Sequence, residues 1–296
     1  MSTRPGRAAI VATAGESIAR GSRSFAAASR LFDRRTRERA WLLYAWCRRA
    51  DDIADGQDHG HGAHAVADPE ARIEAIRLRT EAALAGEWIG DAGFDGLRIF
   101  LAETGAPEGL VRDVVAGFAL DAQGWRPASE DDLYRYCYHV AGAVGCLMAV
   151  AMGVTDAAVL DRACDLGIGF QLANIARDIA EDEAAGRCYL PPEWLAEGRV
   201  AAAAKLAERA AAYAASGRGG TAALGFRSAW AVLAAAGIYG DIACKVTERG
   251  EAAWDKRVST GIVGKLGWIA RSLGPAWNRK RLYPQERPGN LWTRPR

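Results

Sequence analysis

The stretch "QLANIARDIAED", residues 171 to 182, decides how the rest of the chain is read. Leu172, Ile175 and Ile179 recur at helical spacing, while Gln171, Asn174, Asp178 and Asp182 fall three, four and four residues apart on another face. Aspartates four residues apart meet across one helical turn, and like charges so placed cost about 0.2–0.5 kcal/mol. The same arrangement stands far upstream in "YAWCRRADDIAD", residues 44 to 55. There Tyr44, Arg48, Asp51 and Asp55 share a face, Asp52 lies at its edge, and Leu42, Leu43, Ala45 and Trp46 form the apolar side.

Outward from these two helices the pattern stays helical. Sustained two-residue alternation is absent, and Ala, Leu, Arg and Glu dominate long segments of 3.6-residue period. The periodicity predicts helices over 8–20, 23–31, 35–55, 69–86, 91–104, 107–122, 129–152, 155–183, 191–216, 221–249 and 259–273, with Gly and Pro punctuating between them. The Gly- and His-rich segment 56–69 is expected to be a mobile loop, and His59, His61 and His64 within it receive no role. The expected architecture is all-α: a single domain over residues 1–296 with a central pocket between helices.

Composition narrows the function classes. The balance of 38 basic and 36 acidic residues gives a net charge of only +2, which suggests no nucleic-acid partner. Charge is uneven at one end: residues 271–296 hold Arg271, Arg279, Lys280, Arg281, Arg287, Arg294 and Arg296 against Glu286 alone, with Trp277, Tyr283 and Trp292 among them. A basic tail over 274–296 suits either plain solvation or contact with an anionic membrane surface. Six cysteines without CxxC spacing argue against zinc and against a disulfide framework, so a reducing cytoplasm is the expected compartment. No signal pattern opens the chain, and the longest apolar run, residues 140 to 154, is shorter than the ~20 residues that span a bilayer. The expectation is a cytoplasmic protein, soluble or peripherally attached to a membrane.

A hard divalent cation supplies a reason to keep paired acids. Mg²⁺ prefers oxygen ligands and is commonly held by one or two carboxylates together with substrate phosphates. Neutral hydrogen-bonding residues accompany both acid pairs in place of lysines, and the interleaved Arg48, Arg49 and Arg177 suit phosphate oxygens. Cation-neutralised diphosphate is a good leaving group, and the carbocation left behind needs a dry, aromatic-lined space. The small-residue runs "HVAGAVGCLMAVAMG" and "AWAVLAAAGIYG" suit either a tunnel lining or close helix packing.

Together, "LYAWCRRADDIADG", "YCYHVAGAVG", "FQLANIARDIAEDEAAGRCYLP" and "AWDKRVST", in this order, make the chain resemble the squalene/phytoene synthase family, most closely its bacterial phytoene-forming members. The resemblance runs from "GSRSF" at residue 21 to the end. It implies an isoprenoid-synthase-like helical bundle with a central active-site cavity, and a prenyltransferase that joins two geranylgeranyl diphosphates head to head. The implied route passes through prephytoene diphosphate to phytoene, the first committed step of carotenoid biosynthesis, and needs no NADPH.

Position by position, the resemblance implies Asp51, Asp52 and Asp55 as one metal-ligand set, and Asp178 and Asp182, with Asn174, as the other, for Mg²⁺ or Mn²⁺. It places Ser22, Ser24, Tyr44, Arg48, Gln171, Asn174, Arg177, Arg187, Tyr189 and Arg257 against substrate, and gives Tyr136 a part in the second half-reaction. Ser22 reads equally as a helix cap, Arg257 as a surface charge and Tyr136 as a packed ring. Gly56 stands where relatives often carry a further acid, and Pro127 where an Arg-Tyr pair is common, although Asp121 and Arg126 are kept. Rival readings are a squalene- or dehydrosqualene-type synthase using farnesyl diphosphate, and a non-catalytic assembly relative, which would have lost acids that are all present here. Squalene-forming relatives tend to carry an added C-terminal membrane anchor, so the short tail favours phytoene. Expected partners are the two substrate molecules, a peripheral membrane surface and downstream carotenoid enzymes.

Overall fold

In the computed structural model the described residues are 4–22, 26, 28–55, 68–283 and 286–296. Ser24, the three loop histidines, Gly56 and most of segment 56–69 lie outside them, as does the side chain of Asp55. Among the described residues there is no strand, and the chain divides into two compact units, Met1–Gln123 with Leu147–Gly153, and Gly124–Cys146 with Val154–Arg296.

The first unit carries α1 (Arg7–Gly21), α2 (Arg34–Asp55), α3 (Pro69–Leu84), α4 (Ala92–Thr104) and α5 (Glu108–Ala122). Start signals are local. Asp68 accepts the Ala71 N–H with Pro69 in the first turn of α3, and Asp91 accepts the Gly93 N–H at the start of α4. Helices α1, α2 and α4 pack on one another. Ile10, Val11, Ala14 and Ile18 of α1 meet the fully buried Leu42, Leu43 and Trp46 of α2 and Phe94, Leu97 and Phe100 of α4 in this core. Gly93 lets α4 approach α2, since a Cβ there would lie 2.7 Å from the Arg49 Cβ.

The second unit begins with α6 (Glu130–Cys137), a π turn (Tyr138–Gly142) and the start of α7 (Ala143–Ala151). It continues with α8 (Ala157–Ala184), α9 (Pro192–Ala196), α10 (Arg199–Gly220), α11 (Phe226–Arg249), α12 (Ile262–Arg271), α13 (Leu273–Trp277) and α14 (Arg279–Leu282). The expected helix 129–152 is thus interrupted by a wide turn, and the expected helix 191–216 breaks where Gly198 takes φ +91°. Helix α8 is the centre of the unit, flanked by α10 and α11. Phe226–Ala253 contains a window long and apolar enough to cross a membrane, yet half of it is buried. Because α8, α10, α12 and α13 all pack on α11, its apolar residues serve as core.

The small-residue run around 140–146 is close packing. A Cβ on Gly145 would lie 2.5 Å from the Ala163 carbonyl oxygen, and one on Gly167 would strike the Ala141 carbonyl. Gly167→Ala is therefore expected to cost about 1–3 kcal/mol by overpacking. Gly240→Ala, on α11, where a Cβ would meet nothing within 4 Å, should be neutral or stabilising. Thermal melts of the two variants check this; equal shifts would show that packing at Gly167 tolerates a methyl group.

Candidate functional site

In the first unit α2 presents its polar face to the end of α1. Ser22 closes α1, its N–H donating to the Ile18 carbonyl at 2.9 Å, so it acts as a C-terminal cap. A Cβ on the preceding Gly21 would run into the Tyr44 hydroxyl and lie 3.7 Å from the Arg48 Cδ. The missing side chain thus lets Tyr44 and Arg48 lie against the end of α1, where Ser22 follows. Arg48 then ties up the acids one turn on. Its Nη1 sits 2.9 Å from Asp51 Oδ2, its Nε donates to Asp52 Oδ1 at 2.9 Å, and its Nη2 lies 2.5 Å from the same oxygen. Asp52 is buried, whereas the Asp51 side chain is 40% exposed and open to a ligand. Burial pushes the Tyr44 phenol above its ordinary range, so it stays a neutral donor.

In the second unit the counterpart is built on α8. Arg177 forks onto Asp178 beside it, its Nε donating at 2.7 Å. Arg257, from the loop after α11, forks onto the same carboxylate at 3.1 and 2.9 Å. Arg257 also lies 3.5 Å from Glu181, so its surface-charge reading gives way to a specific one. Burial alone would raise the Asp178 carboxyl, but the two guanidiniums hold it below the usual carboxylate range. One turn N-terminal, Asn174 Nδ2 donates to Gln171 Oε1 at 3.4 Å.

Asp182, Arg187 and Tyr189 line one depression with Ile175 and Ile179, of about 200 Å³ including its open mouth. The turn that brings them there is closed by the Arg187 N–H donating to the Asp182 carbonyl at 2.8 Å. Tyr189 stacks on Tyr136 at 4.8 Å, and Tyr136 on Trp125 at 5.2 Å, a ladder of three near-parallel rings. Arg126 reaches the Gly186 carbonyl at 3.3 Å and joins the Trp125 loop to this turn. Tyr136 is therefore both packed, at 3% exposure, and adjacent to the depression through Tyr189.

Sequence reasoning missed three aromatic residues here. Trp125 completes the ladder, Trp254 donates its indole N–H to the Ala176 carbonyl at 3.2 Å, and Tyr239 stacks on Phe170 at 4.0 Å and pairs with Asn174. Tyr239 lies within the run "AWAVLAAAGIYG", the one signal that could have found it. The first half of α8 holds a third acid pair of the same spacing, Asp161 and Asp165. Its partners are the C-terminal arginines. Arg287 Nε and Nη2 donate to Asp165 at 2.8 Å each, Ser216 Oγ donates to the same carboxylate at 2.6 Å, and Arg294 Nε donates to Asp161 at 2.7 Å. Trp292 packs beside Tyr138, and its backbone N–H donates to the Tyr213 hydroxyl at 3.2 Å. These residues of the basic tail are docked on the unit, where solvation or membrane contact was expected.

The donors at Asp51, Asp52, Asp178 and Asp182 are carboxylate oxygens, which suit a hard divalent cation. Among the described residues no three acidic, imidazole or thiol groups converge, so neither pair alone completes a coordination shell.

Residues 18–262 match the family model for squalene/phytoene synthase. A 15-cis-phytoene synthase from Pantoea ananas is 44% identical over 95% of this chain and 96% of its own length. One from Paracoccus sp. is 42% identical, with 97% and 98% covered. Among solved structures, a dehydrosqualene synthase in complex with ligand superposes with a TM-score of 0.81 at 23% identity, over 90% of this chain and 96% of that one, a likeness of fold.

Proposed function

Since the chain belongs to the squalene/phytoene synthase family, we propose that it is a prenyltransferase joining two geranylgeranyl diphosphates into phytoene. The observation that carries this reading is near-full-length identity to bacterial proteins named 15-cis-phytoene synthase. The retained acids and arginines on α2 and α8 support it over a non-catalytic relative, which has no need of them.

The reaction consumes two C20 diphosphates and yields one C40 hydrocarbon, two diphosphates and two protons. The first diphosphate leaves as the double bond of the second substrate attacks, and loss of a proton closes the cyclopropane of prephytoene diphosphate, which then loses its own diphosphate and a second proton. Asp51, Asp52, Asp55, Asp178 and Asp182, with Asn174, are the residues that would hold Mg²⁺ or Mn²⁺, and the bound cation would neutralise the departing diphosphate. Arg48, Arg177 and Arg257 rest on those carboxylates in the structure. Carboxylates engaged elsewhere release these guanidiniums to phosphate oxygens, which their planar forks fit. Tyr44 and Ser22 add hydroxyl donors to the same group. Tyr189, which lines the depression, offers its ring to the carbocation of the second half-reaction, with Tyr136 and Trp125 stacked behind it to hold it in place and keep water out.

Purified protein given geranylgeranyl diphosphate and Mg²⁺ should release diphosphate and form a C40 hydrocarbon, read by chromatography and mass spectrometry. Product from farnesyl diphosphate alone would assign the chain to the C15-using branch, and no product from either would refute the catalytic reading.

A further inference from the structure

Six of the nine large hydrophobic residues exposed among the described residues lie within 262–282, a surface that the reading above does not use. Ile262, Leu266, Leu273 and Trp277 are spaced four, seven and four residues apart along α12 and α13, and are 79%, 61%, 46% and 74% exposed. Such spacing makes one stripe. Val263, 84% exposed, widens it, and Leu282 extends it. The opposite face is fixed to α11. Trp268 lies on Gly237, the Trp230 indole donates to the Ile269 carbonyl at 2.6 Å, and Ser272 and Ala276 are buried. The stripe therefore cannot turn inward without unseating the helix.

Charge selects the occupant. From Lys256 to Gln285 the sequence has no acid and seven bases, Lys256, Arg257, Lys265, Arg271, Arg279, Lys280 and Arg281. Lys280 and Arg281 are exposed beside the stripe, whereas Arg271 lies over the Trp268 ring at 5.7 Å and Arg279 is held by the Leu224 and Ala276 carbonyls. A second copy packed about a two-fold axis would set these cations against themselves. A surface that is apolar and anionic at once complements both features. We propose that α12–α14 form a membrane-docking face, with the stripe entering the headgroup–acyl boundary of an anionic bilayer and Lys280 and Arg281 meeting lipid phosphates. The docking face is thus displaced from the C-terminal arginines, which are engaged with Asp161 and Asp165.

The test is co-sedimentation of the full chain with phosphatidylcholine vesicles, with and without phosphatidylglycerol. Wild type should bind the anionic vesicles, bind the neutral ones far more weakly, and be released by raised salt. Lys280→Glu/Arg281→Glu and Ile262→Glu/Leu266→Glu should each lower partitioning at least about tenfold, at roughly fivefold per surface cation. Val200→Glu, an exposed apolar residue on α10, should bind like wild type, and all three variants should keep the wild-type melting temperature. Equal binding of wild type and the stripe variants would overturn the proposal. So would a wild-type dimer that the stripe variants convert to monomer, because a second copy would then be the occupant.

Discussion

Asp178→Asn is expected to lower turnover with geranylgeranyl diphosphate by about a hundred- to a thousandfold while the fold survives. Cation-mediated charge neutralisation contributes several kcal/mol to such a transition state, and each 1.36 kcal/mol is a factor of ten in rate. Asparagine keeps the shape and one acceptor for Arg177 and Arg257 but carries no charge to bind a cation. Asp51→Asn should act alike, and a chelator should silence wild type until Mg²⁺ or Mn²⁺ is returned. A variant within about threefold of wild type would remove Asp178 from the metal-binding role.

The same substitution has a separate stability signature. The Asp178 carboxyl is held below its ordinary range by Arg177 and Arg257 against the opposing pull of burial. A group depressed in the folded state contributes stability that is present above its unfolded pKa, about 3.9, and lost as pH falls through the folded value. Wild type should therefore melt above Asp178→Asn at neutral pH, and the gap should close below about pH 4. A gap that persists in acid would mean that the substitution disturbs packing, and the rate loss would then need another cause.

Helix positions were legible because the core is periodic. Leu172, Ile175 and Ile179, and Leu42, Leu43 and Trp46, are all buried, as their spacing requires. The breaks were less legible. The π turn at Tyr138–Gly142 has no turn residue within it that a helix forbids, and it shows only in the hydrogen-bond ladder. Acid spacing proved ambiguous as well. Asp161 and Asp165 repeat the four-residue interval of Asp178 and Asp182, yet their partners are Arg287 and Arg294, more than a hundred residues away in the chain. Composition marked those arginines as a basic tail because it cannot register that long-range match. Candidate site residues were legible through motif likeness, but the arginine pairing of Asp178 joins residues 79 apart and needed the structure.

Arg287→Ala should destabilise the protein by about 3–5 kcal/mol, the usual penalty for stripping one partner from a buried ion pair. Asp165 is fully buried, and without Arg287 it keeps only the Ser216 hydroxyl among the bonds described here. The loss also frees the Trp292 carbonyl, to which Arg287 Nη2 donates at 2.7 Å, so the last residues lose their hold on Tyr213 and Tyr138. At about 2–4 °C per kcal/mol for a chain of this size, the melting temperature should fall by roughly 6 °C or more. The second substitution separates mechanism from bulk. In Asp165→Leu/Arg287→Met both charges are gone, and the double variant should be more stable than Arg287→Ala, because a buried charge left alone costs more than an apolar replacement of the pair. A melt for Arg287→Ala within about 1 °C of wild type would show that the tail is not held by this pair. A double variant no better than the single one would show that its value lies in geometry rather than charge.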